Sequence, residues 1–376
     1  MIRRRFITGL SEVRVGGSYH RFIRMIQALA AAGFEVSVVT TSPACIHDAR
    51  VHWKHVGGVV PDSLKTWAFL MTYPFRMMAA MLFKGGREFI AYGPVYAALL
   101  FPVRLCKTCR IYCMVRGMLS SEYRYQGRGG ALKSLVTLFE RMGFRVSHRI
   151  IVVSKTLEKE IRQRAGIPTE KFTHLPNEIP DLAGVTIDKP FGRALWEEKL
   201  TVGGLRLFAG GVITAIKNFE TLLAALKDLD FDFHLCIAGS PANRQDRAYF
   251  RELESLTKRL GLKERVSWLG WFPRERLLGV LAASHLLVAP SRHEGMSNIL
   301  LEALALGVPC VAMKTPESLE LLRSEILLFE STEGLSKIIK KFQGNALFRL
   351  KVQSESYQAR RYWTFNWDEK LVEALT

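Results

Sequence analysis

The chain is expected to be an α/β protein built from two doubly wound, Rossmann-like domains, and three observations predict this. Its 376 residues exceed one compact domain and suit two buried cores. Apolar residues make up 48% of the chain with no low-complexity tract, which excludes a disordered protein. Short apolar runs alternate with amphipathic stretches, the pattern of parallel strands covered by helices.

The first series opens with the strand RRFITG, the loop LSEVRVGG, the helix SYHRFIRMIQALAAAG, stopped by Gly33, and the strand FEVSVVTT, a complete β-α-β unit. REFIAYG, RIYCMVRG and HRIIVVS follow as strands, with helical segments between them. The most apolar window, residues 66–83, is long enough to raise the question of a membrane span. Pro74 and Arg76 at its centre argue against one, because a central Arg is costly in lipid, so an interfacial or buried helix is expected. GIPTEKFTHLPNEIPD carries a last short strand into a turn, and a loose connection of some forty residues is expected beyond it.

The second series reads LRLFAGG, FHLCIAGS, RVSWLGW, HLLVAPS and PCVAM as strands, with NFETLLAALKDL, AYFRELESLTKRLGL, RERLLGVLAAS and MSNILLEALALG as the helices between them. Domains are therefore expected at residues 1–180 and 181–355. The aromatic, amphipathic tail at 356–376 is expected to return to the first domain as a helix.

Charge is divided unevenly. Residues 1–180 hold 27 Lys and Arg against 11 Asp and Glu, whereas the remainder holds 26 against 24. A basic half suits an anionic membrane surface or an anionic substrate, and with no recognisable DNA or RNA motif, nucleic acid is not an expected partner. Trp67, Tyr73 and Phe75, with Arg104, Lys107, Arg110, Arg124, Arg128, Lys133, Arg141 and Arg145, make a candidate surface for lipid docking. The alternative is that the apolar stretch packs on the first sheet.

No secretory leader is recognisable in MIRRRFITGL, and the six cysteines are scattered, Cys45 among them, so a reducing cytoplasm is the expected setting. Cys106, Cys109 and Cys113 lack a fourth ligand at metal spacing and read as structural. Asp228, Asp230 and Asp232 fall between a helix and a strand at the end away from the expected active loops, so no metal site is assigned.

In doubly wound sheets the chemistry sits beyond the carboxyl ends of the strands. The loops there are residues 10–17, 92–94, 116–118, 210–218, 239–243, 270–273 and 291–298. The last belongs to APSRHEGMSNILLEALALGVPCVAMKTPE, in which Glu294 stands in the loop and Glu302 about a turn inside the following helix. Ser297 or Asn298 is expected to cap that helix and Gly307 to end it. Free N–H groups at Met296, Ser297, Asn298 and Ile299 then suit a phosphate, and two carboxylates set this way suit the two sugars of a nucleotide sugar.

The pattern Glu294-Gly295-x-Ser297-Asn298-x-x-Leu301-Glu302-Ala303-x-Ala305-x-Gly307-x-Pro309 closely resembles the retaining family 4 (group 1) glycosyltransferases of the GT-B fold, in which two Rossmann-like domains face each other across a cleft. The resemblance covers nearly the whole chain and includes AIKNFETLLAAL and RVSWLGWFPRERLLGVLAASHLLVAPS. It implies that Glu294 holds hydroxyls of the transferred sugar, Glu302 the ribose, and Lys217 the diphosphate.

On the same ground Gly16 and Gly17 resemble the glycine pair of the first-domain loop, and main-chain groups near Trp271 and Phe272 line the base. Gly211, Asn218, Gly239, Arg292, Gly295, Met296, Ser297, Asn298 and Ile299 complete the expected donor site. Arg116 is expected at the acceptor or the leaving phosphate, with His20, Tyr92 and Arg124 on the acceptor side.

Two departures stand out. The Arg that many relatives carry after the strand is Gly211 or Val212 here, with Arg292 as a substitute charge; and the usual G-G-x-x-E reads KTPESLE, with Glu320 in the acid's place. The resemblance implies metal-independent transfer of a sugar, with retention, from a nucleotide diphosphate sugar to an envelope glycan or lipid-linked acceptor. No cofactor is expected. The missing Arg motivates the alternative of a non-catalytic subunit of a glycosylation complex.

Overall fold

The computed structural model describes residues 4–11, 17–41, 46–55, 62–84, 86–106, 108–125, 130–200 and 203–376. They form two compact units, Met1–Pro176 with Asn366–Thr376, and Asn177–Phe365. Gly16, Cys45, Lys107 and Arg128 lie outside the described residues, as do the side chains of His20, Trp67 and Arg124.

In the first unit β1 (Arg5–Leu10), α1 (Gly17–Ala31) and β2 (Glu35–Thr40) form the opening β-α-β unit. β3 (Val51–His55) then pairs with β2, an edge strand whose two histidines and lysine hid it from the apolar pattern. The chain continues through α2 (Asp62–Lys84), β4 (Glu88–Ala91), α3 (Pro94–Leu99), α4 (Phe101–Arg104), β5 (Arg110–Val115), α5 (Leu119–Tyr125), α6 (Ala131–Val146), β6 (Arg149–Val152), α7 (Lys155–Ala165) and β7 (Phe172–His174). The strands lie in the order β3-β2-β1-β4-β5-β6-β7, all parallel. Helices on the faces of such a sheet explain why its central strands β1, β4 and β5, after a charged first residue, are mostly apolar and buried.

α2 corrects one expectation. Tyr73, grouped above with the interfacial aromatics, is wholly buried against Phe69 and Tyr96, with ring centroids 5.5 and 5.3 Å apart. Met71, Phe75 and Leu82 lie on another stripe of the helix and are 68%, 72% and 70% exposed. The apolar window is thus amphipathic by position, although both stripes are apolar by composition.

The second unit corrects another expectation. Where a loose connection was expected, α8 (Lys189–Lys199) forms, capped by Asp188, whose side chain accepts from the Phe191 N–H (3.1 Å). Pro190 and Gly192 read as loop residues in sequence, but Pro is tolerated in a helix's first turn. Gly192 lets α8 press onto α11 (Arg274–Ala282). A β-carbon there would lie 2.0 Å from the Gly279 carbonyl oxygen, and one at Gly279 would lie 2.1 Å from that of Asp188. Trp196 locks the crossing, buried with its indole N–H on Val280 O at 3.0 Å.

The remaining elements are β8 (Leu205–Gly210), α9 (Phe219–Leu226), β9 (Phe233–Ala238), α10 (Arg244–Arg259), β10 (Val266–Gly270), β11 (Leu286–Ala289), α12 (Asn298–Leu306), β12 (Cys310–Met313), α13 (Pro316–Leu322), β13 (Leu328–Phe329), α14 (Thr332–Gly344) and α15 (Ala346–Tyr362). The parallel sheet runs β10-β9-β8-β11-β12-β13. α16 (Trp367–Leu375) belongs to the first unit, where Asp368 accepts from Arg24 Nε of α1 at 3.0 Å and the same guanidinium lies over Trp367.

The two units share a local device. Ser147-His148 before β6 and Ser284-His285 before β11 each place a serine hydroxyl on the carbonyl four residues back (2.7 and 2.8 Å). Each histidine Nδ1 accepts a neighbouring strand's N–H, from Ile111 (2.9 Å) and from Arg206 (3.1 Å). A polar pair at a strand's start thereby satisfies backbone groups that the ladder leaves unpaired.

Candidate active site

Strand order in the second sheet reverses between β8 and β11, so the loops after these strands diverge and leave a crevice at their carboxyl ends. Both loops carry the predicted residues. After β8 the chain turns through Gly210 and Gly211 into a short 3₁₀ turn, Ala215–Lys217, and then into α9. Gly211 has φ 130° and Gly239 φ 141°. A β-carbon on Gly239 would sit 1.9 Å from the Gly211 carbonyl oxygen, so the loops after β8 and β9 meet only because glycine is present.

Asn218 is buried in the left-handed conformation (φ 56°). Its amide donates to Pro290 O (3.0 Å) and its Oδ1 accepts from Thr221 (2.8 Å), tying the β8 loop to the β11 loop. The Arg292 N–H adds a second tie to Ile216 O at 2.9 Å.

These ties bring Lys217 against Glu294, 77 residues away. Nζ donates to Oε1 of Glu294, which also accepts from the Ser291 hydroxyl (3.0 Å). The two side chains are 18% and 26% exposed, so both charges are largely, though not wholly, withdrawn from water. Ser297 caps α12 without a side-chain hydrogen bond to the first turn, and Gly307 (φ 74°) ends the helix. N–H groups of the first turn are therefore left for a ligand, where the helix dipole favours an anion.

Glu302 is buried one turn inside α12 and accepts from Nη1 of Arg274 at 2.6 Å. Arg274, which the sequence reading missed, begins α11 directly after Trp271, Phe272 and Pro273. Trp271 is exposed; Phe272 packs on Phe191 with centroids 5.6 Å apart. Arg292 reaches Glu220 in the first turn of α9 (3.1 Å), and that carboxylate also accepts from the Tyr249 hydroxyl (2.5 Å). Burial, then the Glu220 carboxylate, pushes the Tyr249 phenol pKa up, so Tyr249 stays a neutral donor.

His293 is a second residue the sequence reading missed. Its Nδ1 lies 3.1 Å from Glu317 of α13. In the first unit the predicted residues sit on the loops after β4 and β5, where Arg116 Nη1 donates to the Tyr92 hydroxyl at 3.3 Å. Gly17 and His20 lie in the first turn of α1, and Arg124 lies in α5. Among the described residues no three His, Cys, Asp or Glu side chains gather into a metal-binding cluster. Cys106, Cys109, Cys113, Cys236 and Cys310 are free thiols.

Comparison with known proteins gives this geometry a family. Residues 15–180 match the model of "Glycosyltransferase Family 4" and residues 204–343 that of "Glycosyl transferases group 1". An uncharacterised glycosyltransferase of Methanocaldococcus jannaschii is 25% identical over 83% of this chain and 80% of its own length. The lipopolysaccharide core biosynthesis glycosyltransferase LpsD of Rhizobium meliloti is 26% identical over 39% of this chain and 41% of its own. The structure of Anabaena HepE in complex with UDP-glucose superposes with a TM-score of 0.77, covering 99% of each chain at 16% identity. The chain belongs to the group 1, family 4 glycosyltransferases and has their GT-B fold.

Proposed function

We propose that this glycosyltransferase moves a sugar, with retention of anomeric configuration and without a metal ion, from a nucleotide diphosphate sugar to an envelope glycan or lipid-linked acceptor. The observation that carries the proposal is the Lys217–Glu294 pair at the point where the strand order reverses, beside the open first turn of α12. A diphosphate placed there meets one ammonium and a row of N–H groups. The transferred sugar then lies against Glu294 and the ribose against Glu302, held in place by Arg274.

As the bond from the anomeric carbon to the β-phosphate oxygen breaks, negative charge grows on that oxygen. Lys217 and the α12 N-terminus stabilise it more than they stabilise the ground state, in a site largely removed from water. The acceptor oxygen bonds to the anomeric carbon on the face the phosphate leaves, and the acceptor's proton departs with the nucleotide diphosphate. Arg116 and Tyr92 serve the acceptor side. HepE was crystallised with UDP-glucose, which supports a nucleotide sugar as the donor class.

The lipid-linked acceptor rests on the first unit's surface. α4 neighbours both α2 and α6. Met71, Phe75 and Leu82 of α2, Leu105 after α4, and Leu132, Leu135 and Leu138 of α6 are exposed, with Arg104 ending α4, Arg141 and Arg145 on α6, and Arg110 at the start of β5. Apolar side chains ringed by cations suit the surface of an anionic membrane. Among the described residues no helix is long and apolar enough to cross one.

Nucleotide release from a panel of UDP-, GDP-, ADP- and dTDP-sugars, with and without EDTA, tests the proposal. Slow, EDTA-insensitive hydrolysis of one donor, lost in Glu294→Ala, is the expected result. No release or binding with any donor, in folded protein, would refute it.

A further inference from the structure

A small pocket opens beside Glu294, lined also by Ser291, Met296, Ser297, Met313 and Glu317. It holds a second carboxylate that the proposed chemistry does not use. Glu317 is the second residue of α13, and Thr315 begins that helix with a capping box shared with Ser318, so the backbone beneath the carboxylate is fixed. His293, the residue before Glu294, bonds Oε1 of Glu317 through Nδ1 at 3.1 Å, and each side chain is 11% exposed. The two acids of the pocket therefore have separate partners, Lys217 for Glu294 and His293 for Glu317.

Burial alone pushes the Glu317 carboxyl pKa up. Hydrogen bonds from His293, from its own backbone N–H and from Thr315 outweigh burial and hold it below the usual value, so the group stays an anion. The family pattern G-G-x-x-E has bare glycine where this chain has Pro316-Glu317. A carboxylate thus stands in place of backbone, while the acid expected from that pattern, Glu320, is absent from the pocket's lining.

We infer that Glu317, oriented by His293, is a specificity-determining residue for the transferred sugar, selecting a ring that offers hydroxyl or ammonium donors and rejecting a uronate. The inference rests on the reading that a nucleotide sugar occupies this site. A buried carboxylate must be met by donors, and its hydrogen bonds to hydroxyls are charge-assisted. A sugar carboxylate brought against two fixed carboxylates meets like charge with little water between them, which is discrimination by repulsion. His293 is a positioning residue. Without it Glu317 loses its fixed direction and the neighbour that does most to offset its burial.

The test compares UDP-glucose with UDP-glucuronate, or GDP-mannose with GDP-mannuronate if guanosine is the nucleotide bound, in wild type, Glu317→Gln, His293→Asn and the double variant. Each is scored as the ratio of kcat/KM for hexose over uronate, beside that protein's own Kd for the free nucleoside diphosphate. Wild type is expected to favour the hexose by roughly a hundredfold, and Glu317→Gln to shrink that ratio about tenfold or more. His293→Asn should shrink it too, with the double variant no worse than Glu317→Gln, since the two residues act as one unit. An unchanged ratio in Glu317→Gln, with nucleotide still bound, overturns the inference alone. A folded wild type that binds no nucleoside diphosphate overturns the donor-site reading and the inference together.

Discussion

Replacing Lys217 by Ala separates a catalytic role for the Lys217–Glu294 pair from a structural one. If the pair only braced the fold, its loss would appear as instability. Breaking a fully buried pair costs about 3–5 kcal/mol, and an exposed one contributes about 0–1 kcal/mol. Here the side chains are 18% and 26% exposed, and Glu294 keeps the Ser291 hydroxyl as a partner, so water and Ser291 recover much of the loss. A stability change of about 1 kcal/mol is expected, read as a shift in the urea midpoint at constant slope.

Turnover should respond far more. Removing one preorganised charge from a developing oxyanion costs roughly 2.7–4 kcal/mol, or about a hundred- to a thousandfold in kcat. Equilibrium unfolding and single-turnover donor hydrolysis on the same preparations measure the two effects. A variant several kcal/mol less stable with turnover within about threefold of wild type would refute the catalytic assignment and make the pair a brace.

Three further outcomes follow from the geometry. Gly192→Ala puts a methyl group 2.0 Å from the Gly279 carbonyl oxygen and should destabilise the protein by about 1–3 kcal/mol, measured by denaturant unfolding. Burial, then the nearby cations Lys199 for His234 and Arg206 for His285, lowers both histidine pKa values from 6.5 to about 4. The unfolded chain therefore binds more protons between pH 6.5 and 4, and stability should fall as pH drops through that window, by roughly 1–3 kcal/mol for buried His234 and less for half-buried His285, with His234→Asn and His285→Asn flattening the profile. Changing Met71, Phe75 and Leu82 to Ser should abolish flotation with phosphatidylglycerol vesicles while leaving thermal stability near wild type, because these side chains are exposed; unchanged flotation would remove this stripe from the docking surface.

The residues legible in the sequence were those whose spacing along one element already implies chemistry. Glu294 and Glu302 stand on one loop and its helix, and Lys217 follows a strand end, so local pattern and family resemblance reach them. Arg274, His293 with Glu317, and Glu220 were not legible as partners, because each pair joins elements 24 to 72 residues apart and only the sheet order sets them side by side. α8 was hidden for a related reason. Pro190 and Gly192 signal a loop locally, whereas its stability comes from Trp196 and a glycine crossing with α11 that one segment cannot reveal. Tyr73 failed in the opposite direction, since an all-apolar window gives no indication of which stripe faces the sheet.

Calorimetric titration of UDP, GDP, ADP and dTDP into wild type and Lys217→Ala tests the central claim most directly. One nucleotide should bind wild type, and Lys217→Ala should bind it at least about tenfold more weakly, as loss of a charge-assisted phosphate contact requires. Equal affinity in the two proteins, or no binding by folded wild type, would contradict a diphosphate site between the loops that follow β8 and β11.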